Sequence, residues 1–335
     1  MSASRTRDAT EWDFPANGSP RQKLAFATRY AAQAPREGGL RTWDFRVADT
    51  HLELTVKNDP PSEAVDPDGR ESTIGSGAAL LYLKLALKHF GCLGRVALFP
   101  DLDEPSLVAR VHFGFCRECD PHEQLLFDAI PRSDAGASHP GETPVSEAML
   151  SALAQSAAGE RGWLDFIQSE MSQHRVFELG LAGDQPWINS ERWRTRPAGD
   201  AAEASDSRWA RRLIAFGGRK TASRKMAVEP VRQVSTPGAT LAVVKTKTDD
   251  KHGWLAAGQT MARIVLRAQA MRLSWALSNP MRRRQAREAL RMGVGRKGFA
   301  QVILSFGSLT GGNRLEENAL QITGGVSEMA SGPLR

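Results

Sequence analysis

Two apolar helical runs, far apart in the chain, most constrain what it can fold into. Asp66 to Gly91 reads DPDGRESTIGSGAALLYLKLALKHFG. A polar turn with Pro67 and Gly69 leads into a helix in which Ala79, Leu80, Leu83, Ala86, Leu87 and Phe90 cover most of the circumference. Lys84 and Lys88, four apart, leave only a narrow polar stripe, so the helix must be nearly engulfed by protein. From Trp254 the chain reads WLAAGQTMARIVLRAQAMRL, where Met261, Ile264, Val265, Leu266 and Ala268 make the apolar surface and Arg263 and Arg267 the stripe. The glycines of the two runs, Gly77 and Gly258, are 258 − 77 = 181 residues apart. Each run is followed by a similar strand, Ala109–Gly114 and Ala300–Gly307, whose glycines are 307 − 114 = 193 apart. Two matches at nearly one offset point to an ancient duplication.

With 335 residues the chain can bury a substantial core, either as two domains or as two halves sharing one. Neither the first residues nor any later window supplies an apolar stretch of secretory or membrane-spanning kind, which leaves a cytoplasmic protein as the expectation. A net charge of +6 makes the surface attractive to anions, phosphorylated cofactors included. Basic residues cluster at Arg192–Arg196, Arg208–Arg212, Arg219–Lys225 and Arg282–Lys297, and read most simply as a solvated face. No aromatic platform or nucleic-acid motif accompanies them, which argues against DNA or RNA as a partner. Cys92, Cys116 and Cys119 are too few for a disulfide framework. The lone Cys116-Arg-Glu-Cys119, with His122 nearby, reads as structural; a redox or zinc role would need a helix opening on the pair or further ligands, and no metal site is expected.

Periodicity predicts a loose polar arm over residues 1–20, a helix from Arg21 to Ala34, and a hairpin of Arg41–Val47 with His51–Val56. Strands are expected at Arg95–Phe99 and Val108–Phe113, and helices at Pro121–Ile130, Val145–Ala158 and Trp163–Ser172. Thr240–Thr246 reads as a strand, Trp254–Leu273 as the second engulfed helix, Met281–Met292 as a short basic helix and Phe299–Phe306 as the closing strand. The mixture is α+β, with two central buried helices and mainly antiparallel strands around them.

In these residues the chain resembles the duplicated, single-chain branch of the nitroreductase superfamily, the Acg-like FMN-binding oxidoreductases. The likeness runs through Asp66–Gly91, through Leu126–Arg132, and through Trp254–Leu273 to Gly307. It implies a nitroreductase-like fold, internally duplicated, with a sheet shared between the halves. A monomer would then mimic the dimer that other nitroreductases make from two chains. The divisions it suggests are a flexible arm at 1–20, one half at 21–120 and the other at 121–335.

The resemblance also carries a cofactor, FMN, and places residues on it. Relatives follow the first helix with Ala-Pro-Ser leading to Asn-Thr-Gln-Pro-Trp; here the segment is Ala34–Trp43, with Ala34, Pro35 and Trp43 kept. Arg36, Gly39 and Arg41 replace the Ser, Asn and Gln, and the two arginines could grip an anion. A helix-ending turn into a hairpin accounts for the segment equally well. The phosphate-clasping run after the helix ending Ile130-Pro131 keeps Arg132 and offers Ser133, but Ala137 and Ser138 stand for later arginines and Asp134 would repel a phosphate. In the tail Arg314 stands where relatives usually show two arginines. Ser278 and Asn279, after the second engulfed helix, match the stretch that relatives bring near the flavin N5; Asn279-Pro280 is also an ordinary stop. No catalytic side chain is assigned, since a flavin carries the electrons itself.

Two functions follow from the resemblance. One is an FMN-dependent oxidoreductase passing hydride from NAD(P)H to a nitro, quinone or similar small acceptor. The other is a catalytically degenerate scaffold that stores flavin, or binds another anionic ligand or a partner. The altered phosphate motifs favour the second, the extent of the likeness the first.

Overall fold

Helix α1 (Pro20–Ala31) begins where the sequence supplies a full N-terminal cap. The Ser19 hydroxyl accepts from the Gln22 N–H, the Gln22 side chain accepts from the Ser19 N–H, and Pro20 fills the first position. The computed structural model to which this helix belongs describes residues 11–35, 42–57, 66, 68–115, 119–132, 145–169, 172–173, 239–278, 287–288, 291 and 297–308. Ahead of α1, Glu11–Asp13 forms a 3-10 turn, and the Phe14 ring lies flat on Phe90 at 4.2 Å. The hairpin follows as β1 (Trp43–Val47) and β2 (His51–Val56). The first engulfed run is α2 (Arg70–His89), with β3 (Leu93–Leu98) and β4 (Leu107–Phe113) after it. Helix α3 (Pro121–Ala129) opens on an Asp120–Glu123 capping box and continues as a 3-10 turn, Ile130–Arg132.

The second half comprises α4 (Glu147–Ala157), β5 (Gly162–Phe166), β6 (Thr240–Thr246), α5 (Lys251–Ala270), β7 (Leu273–Ser278) and β8 (Phe299–Ser308). Two expectations are corrected. The helix expected at Trp163–Ser172 is replaced by the strand β5, whose Gly162–Phe166 pairs with Ala242–Thr246. Trp163, Leu164, Phe166 and Ile167 are spaced compatibly with either period, and the neighbouring strand decides between them. Among the described residues no sheet is shared between the halves. Residues 43–113 make one four-stranded sheet, in the order β1-β2-β4-β3, and residues 162–308 make another, β5-β6-β8-β7. All pairings are antiparallel. The protein is thus α+β, with its two long helices at the centre.

The halves repeat one topology in detail. Both α2 and α5 have 20 residues, and their starts are 251 − 70 = 181 apart. Each ends before a residue in the left-handed region, Gly91 (φ 64°) and Arg272 (φ 56°), again 272 − 91 = 181 apart. Both inner strand pairs carry a bulge. Val108 is skipped between β2 and β4 and Gln301 between β6 and β8, 301 − 108 = 193 apart. The helices cross at the matched glycines. A Cβ on Gly77 would fall 2.2 Å from the Leu255 carbonyl oxygen, and one on Gly258 would fall 1.9 Å from that of Ile74. Only glycine lets the two backbones meet there. One apolar core, reaching from Leu24 to Phe306, surrounds this crossing and takes side chains from both halves. No helix among the described residues is long and apolar enough to cross a membrane.

Candidate functional site

The bulge in β8 turns Gln301 out of the ladder and toward the first turn of α2, the use to which bulges beside functional sites are often put. Gln301 is fully buried. Its carbonyl and amide oxygens both accept from the Arg70 guanidinium, the amide oxygen at 2.9 Å. Its amide nitrogen donates to Thr246 Oγ1 at 3.0 Å and to Asp249 Oδ1 at 3.3 Å. Arg70, 1% exposed, also pairs with Glu71. Asp249 accepts from the Trp254 indole N–H at 2.7 Å and from Arg287 Nε at 3.1 Å. Burial opposes the Asp249 charge, but the Trp254 N–H, Arg287, Gln301 and Arg70 outweigh it and hold its carboxyl below the ordinary aspartate range. Arg287, expected on a solvated basic face, is itself buried in this seam. The network joins α2 of one half to β6, α5 and β8 of the other.

A second charged cluster lies further along the same helices. Glu160, 9% exposed, accepts from Lys84 Nζ at 3.1 Å and from Arg263 Nη2 at 3.0 Å; Lys84 also donates to Gln259 at 3.0 Å. The polar stripes read from the sequence are therefore buried contacts between elements. Lys88 pairs with Glu123 and the His89 ring stacks on Phe127, which seats α3 against the end of α2.

Of the residues assigned to a flavin, Arg36, Arg41, Ser133, Asn279 and Arg314 lie outside the described residues, and of Arg132 and Ser278 only the backbone is described. Thr42 and Trp43 lie against Gly75, in the first two turns of α2: a Cβ there would fall 3.1 Å from Thr42 Oγ1 and 3.2 Å from the Trp43 ring. Ser278 pairs with Ile303, two residues along β8 from Gln301. The turn carrying Arg132 follows Phe127, which stacks on His89 at the end of α2, 89 − 70 = 19 residues from Arg70; that is about 28 Å along the helix. The tail beyond Ser308 leaves from the other end of the β7–β8 ladder, where Ser308 faces Leu273.

The described residues fit a flavin in one place and resist it in another. The Trp43 indole N–H is buried without an acceptor, beside the segment that would hold the cofactor, so a ligand with a carbonyl or phosphoryl oxygen suits that edge. At the start of α2 the anion position is already filled. The Asp66 carboxylate accepts from the Glu71 and Ser72 N–H groups at 3.1 and 2.9 Å. Among the described residues no three His, Cys, Asp or Glu side chains gather as for a metal ion; Cys119 is described and Cys116 is not. Sequence reasoning passed over Arg70, Asp249 and Gln301. The available signal was Gln301 itself, an amide within the apolar strand AQVILSF.

No family model matches the chain. It is 27% identical over 312 residues to a Mycobacterium tuberculosis (strain ATCC 25618 / H37Rv) protein named "Putative NAD(P)H nitroreductase Rv3131", an alignment covering 88% of this chain and 86% of that protein. A second protein of that strain, "Putative NAD(P)H nitroreductase acg", is 25% identical over 145 residues, 43% of this chain and 44% of its own. "Uncharacterized protein MT1398" of M. tuberculosis (strain CDC 1551 / Oshkosh) is 27% identical over 198 residues, 56% of this chain and 27% of its own. An alignment of nearly the whole chain makes it similar to a protein named a putative NAD(P)H nitroreductase, and the α+β fold built around two repeated central helices is consistent with a nitroreductase-like architecture.

Proposed function

We propose that the protein is a flavin-dependent oxidoreductase that takes hydride from NAD(P)H and reduces a nitro, quinone or similar small acceptor. The observation that carries the reading is the seam at the start of α2, where Thr42 and Trp43 lie against Gly75 and Gln301 of the other half binds Arg70. The nitroreductase names of the relatives support it. Bound FMN would supply the redox chemistry, accepting and giving hydride at its N5. The chain's own residues would bind and orient it. Arg36 and Arg41 would face the phosphate, with Arg314 a further candidate, and Ser278 and Asn279 would lie beside the ring; Arg132 and Ser133, which follow α3 at the far end of α2, would take no part at this seam. The Trp43 N–H would give an otherwise unmet hydrogen bond. The apolar core below and the Arg70–Gln301–Asp249 network would keep the seam rigid and exclude water. The reading includes a cytoplasmic monomer, arisen by duplication, whose halves take the parts of two subunits.

A second reading, a scaffold that has lost the reaction, is favoured by one observation: Asp66 holds the helix end at which an anion could have been received. The absorbance spectrum of the purified protein separates the two, taken before and after loading with FMN and desalting. Flavin bands that survive desalting, and bleach on adding NADPH, support the oxidoreductase. Bands that survive but do not bleach indicate a flavin store. A protein that stays colourless after loading rejects the flavin reading.

A further inference from the structure

Arg267, on the same face of α5 as Arg263 one turn earlier, is 6% exposed, and no hydrogen bond or ion pair among the described residues engages its guanidinium. Burial alone pulls its pKa below the usual arginine value, with no carboxylate acting against it. The charges around it are otherwise matched. Glu160 answers Lys84 and Arg263, Glu123 answers Lys88, and Asp120 caps α3 through the Glu123 N–H. Among the described residues, four cations, Lys84, Lys88, Arg263 and Arg267, thus stand against three carboxylates, Glu160, Glu123 and Asp120. His122 does not restore the balance. Burial, followed by the charges of Arg263 and Arg267, lowers its pKa, so its ring is neutral at pH 7. The His122 ring, on α3, lies within the electrostatic reach of Arg263 and Arg267, while the Arg263 guanidinium is turned to Gly159 and Glu160. A buried Nε without a partner is unfavourable, which methionine or leucine on the same helix would avoid.

We infer that Arg267, with His122 near it, forms a second anion site, which takes a small oxyanion, a phosphate or carboxylate group, at the α3–α5 contact. The site is separate from the proposed flavin seam. Lys84, which shares Glu160 with Arg263, one turn from Arg267, is 84 − 70 = 14 residues along α2 from Arg70, about 21 Å. The ligand would supply the missing negative charge and make bidentate hydrogen bonds to the Arg267 fork.

The test is the thermal stability of the full chain in inorganic phosphate against chloride at equal pH and ionic strength, with acetate as a third arm. Phosphate should raise the wild-type Tm saturably, by about 4 °C at roughly a hundredfold excess over its Kd. Arg267→Met should be at least as stable as wild type in chloride and show no phosphate response. Arg36→Gln/Arg41→Gln should keep the full response, which separates this site from the flavin seam. Stabilisation by acetate as well as phosphate would mean that a carboxylate suffices; stabilisation by phosphate alone would mark a phosphoryl ligand, and both support the site. If Arg267→Met does not fold, Arg267→Lys decides, because it keeps the charge without the fork. The half-saturating phosphate should then rise roughly tenfold. No wild-type response to either anion, or an undiminished response in the Arg267 variants, would overturn the inference.

Discussion

Gly77 and Gly258 lie where the central helices cross, and each Cβ position is occupied by backbone of the opposite helix. Backbone within a packed helix cannot swing aside as a flexible side chain can. Gly77→Ala and Gly258→Ala should therefore each lose about 3 kcal/mol in urea unfolding, the upper end of ordinary overpacking costs. A loss below about 1 kcal/mol at both would mean that the helices do not meet as closely as described. The left-handed residues that follow the two helices give a contrasting case. Gly91 sits at φ 64° with open space at its Cβ, whereas Arg272, its counterpart 181 residues on, holds φ 56° with a side chain. Arg272→Gly should thus stabilise by about 1 kcal/mol and Gly91→Ala should destabilise by a similar amount. The same urea series reads both, and equal stability of Arg272→Gly and wild type would contradict the strain argument. The glycine spacing was visible in the sequence. That these two glycines touch each other was not, because spacing within one helix does not name its partner.

At the scale of elements, the first turn of α2 is tied to β6, α5 and β8 through Asp249, whose carboxyl is held below its ordinary pKa. A depressed carboxyl stabilises the fold above its unfolded pKa, near 4, and the contribution fades as pH falls through the lower folded value. Asp249→Asn should cost about 2 kcal/mol at pH 7, since Arg287 then loses its ion pair with Asp249 and the residue is only partly shielded from water. The gap between variant and wild type should narrow progressively as pH falls below the ordinary aspartate range and through the lower folded value. Urea midpoints across this range test it, and a gap that persists unchanged at low pH would remove Asp249 from the network. Most elements were legible because each carried a cap or a clear period: the Asp120 capping box, the alternation of His51–Val56, the apolar run of Thr240–Thr246. The strand β5 was not, for a five-residue edge strand beside β6 has too few positions to show its period. The candidate site was legible only through family likeness. Neither burial nor periodicity marks such residues as Arg36 or Asn279 in the sequence, and the network at the start of α2 depends on a bulge that no local pattern announces.

For the whole molecule, the two halves cannot be independent folding units in the ordinary sense. The faces of α2 and α5 that meet at Gly77 and Gly258 are apolar and backbone-tight, and each would be exposed if its half unfolded from the other. Two further ties, Arg70 with Gln301 and Lys84 with Glu160, cross between the halves and would be broken in the same event. Exposing one engulfed helix would leave Leu80, Leu83 and Leu87, or Leu255, Ile264 and Val265, without cover, at about 2 kcal/mol for each side chain. A state with one half folded is therefore far less stable than either end state, and equilibrium unfolding should be a single transition. The tryptophans provide local probes: Trp43 is buried in the first half and Trp275 in the second. Trp43→Phe and Trp275→Phe each remove one reporter, so tryptophan fluorescence of the two variants weights the halves differently. Their denaturant midpoints, each corrected for the stability change of its own substitution by far-UV circular dichroism, should coincide with the dichroism transition of the same variant. A fluorescence midpoint displaced from the dichroism midpoint in one variant and not in the other would show that one half unfolds first, and that the crossing at the matched glycines does not bind the halves into one cooperative core.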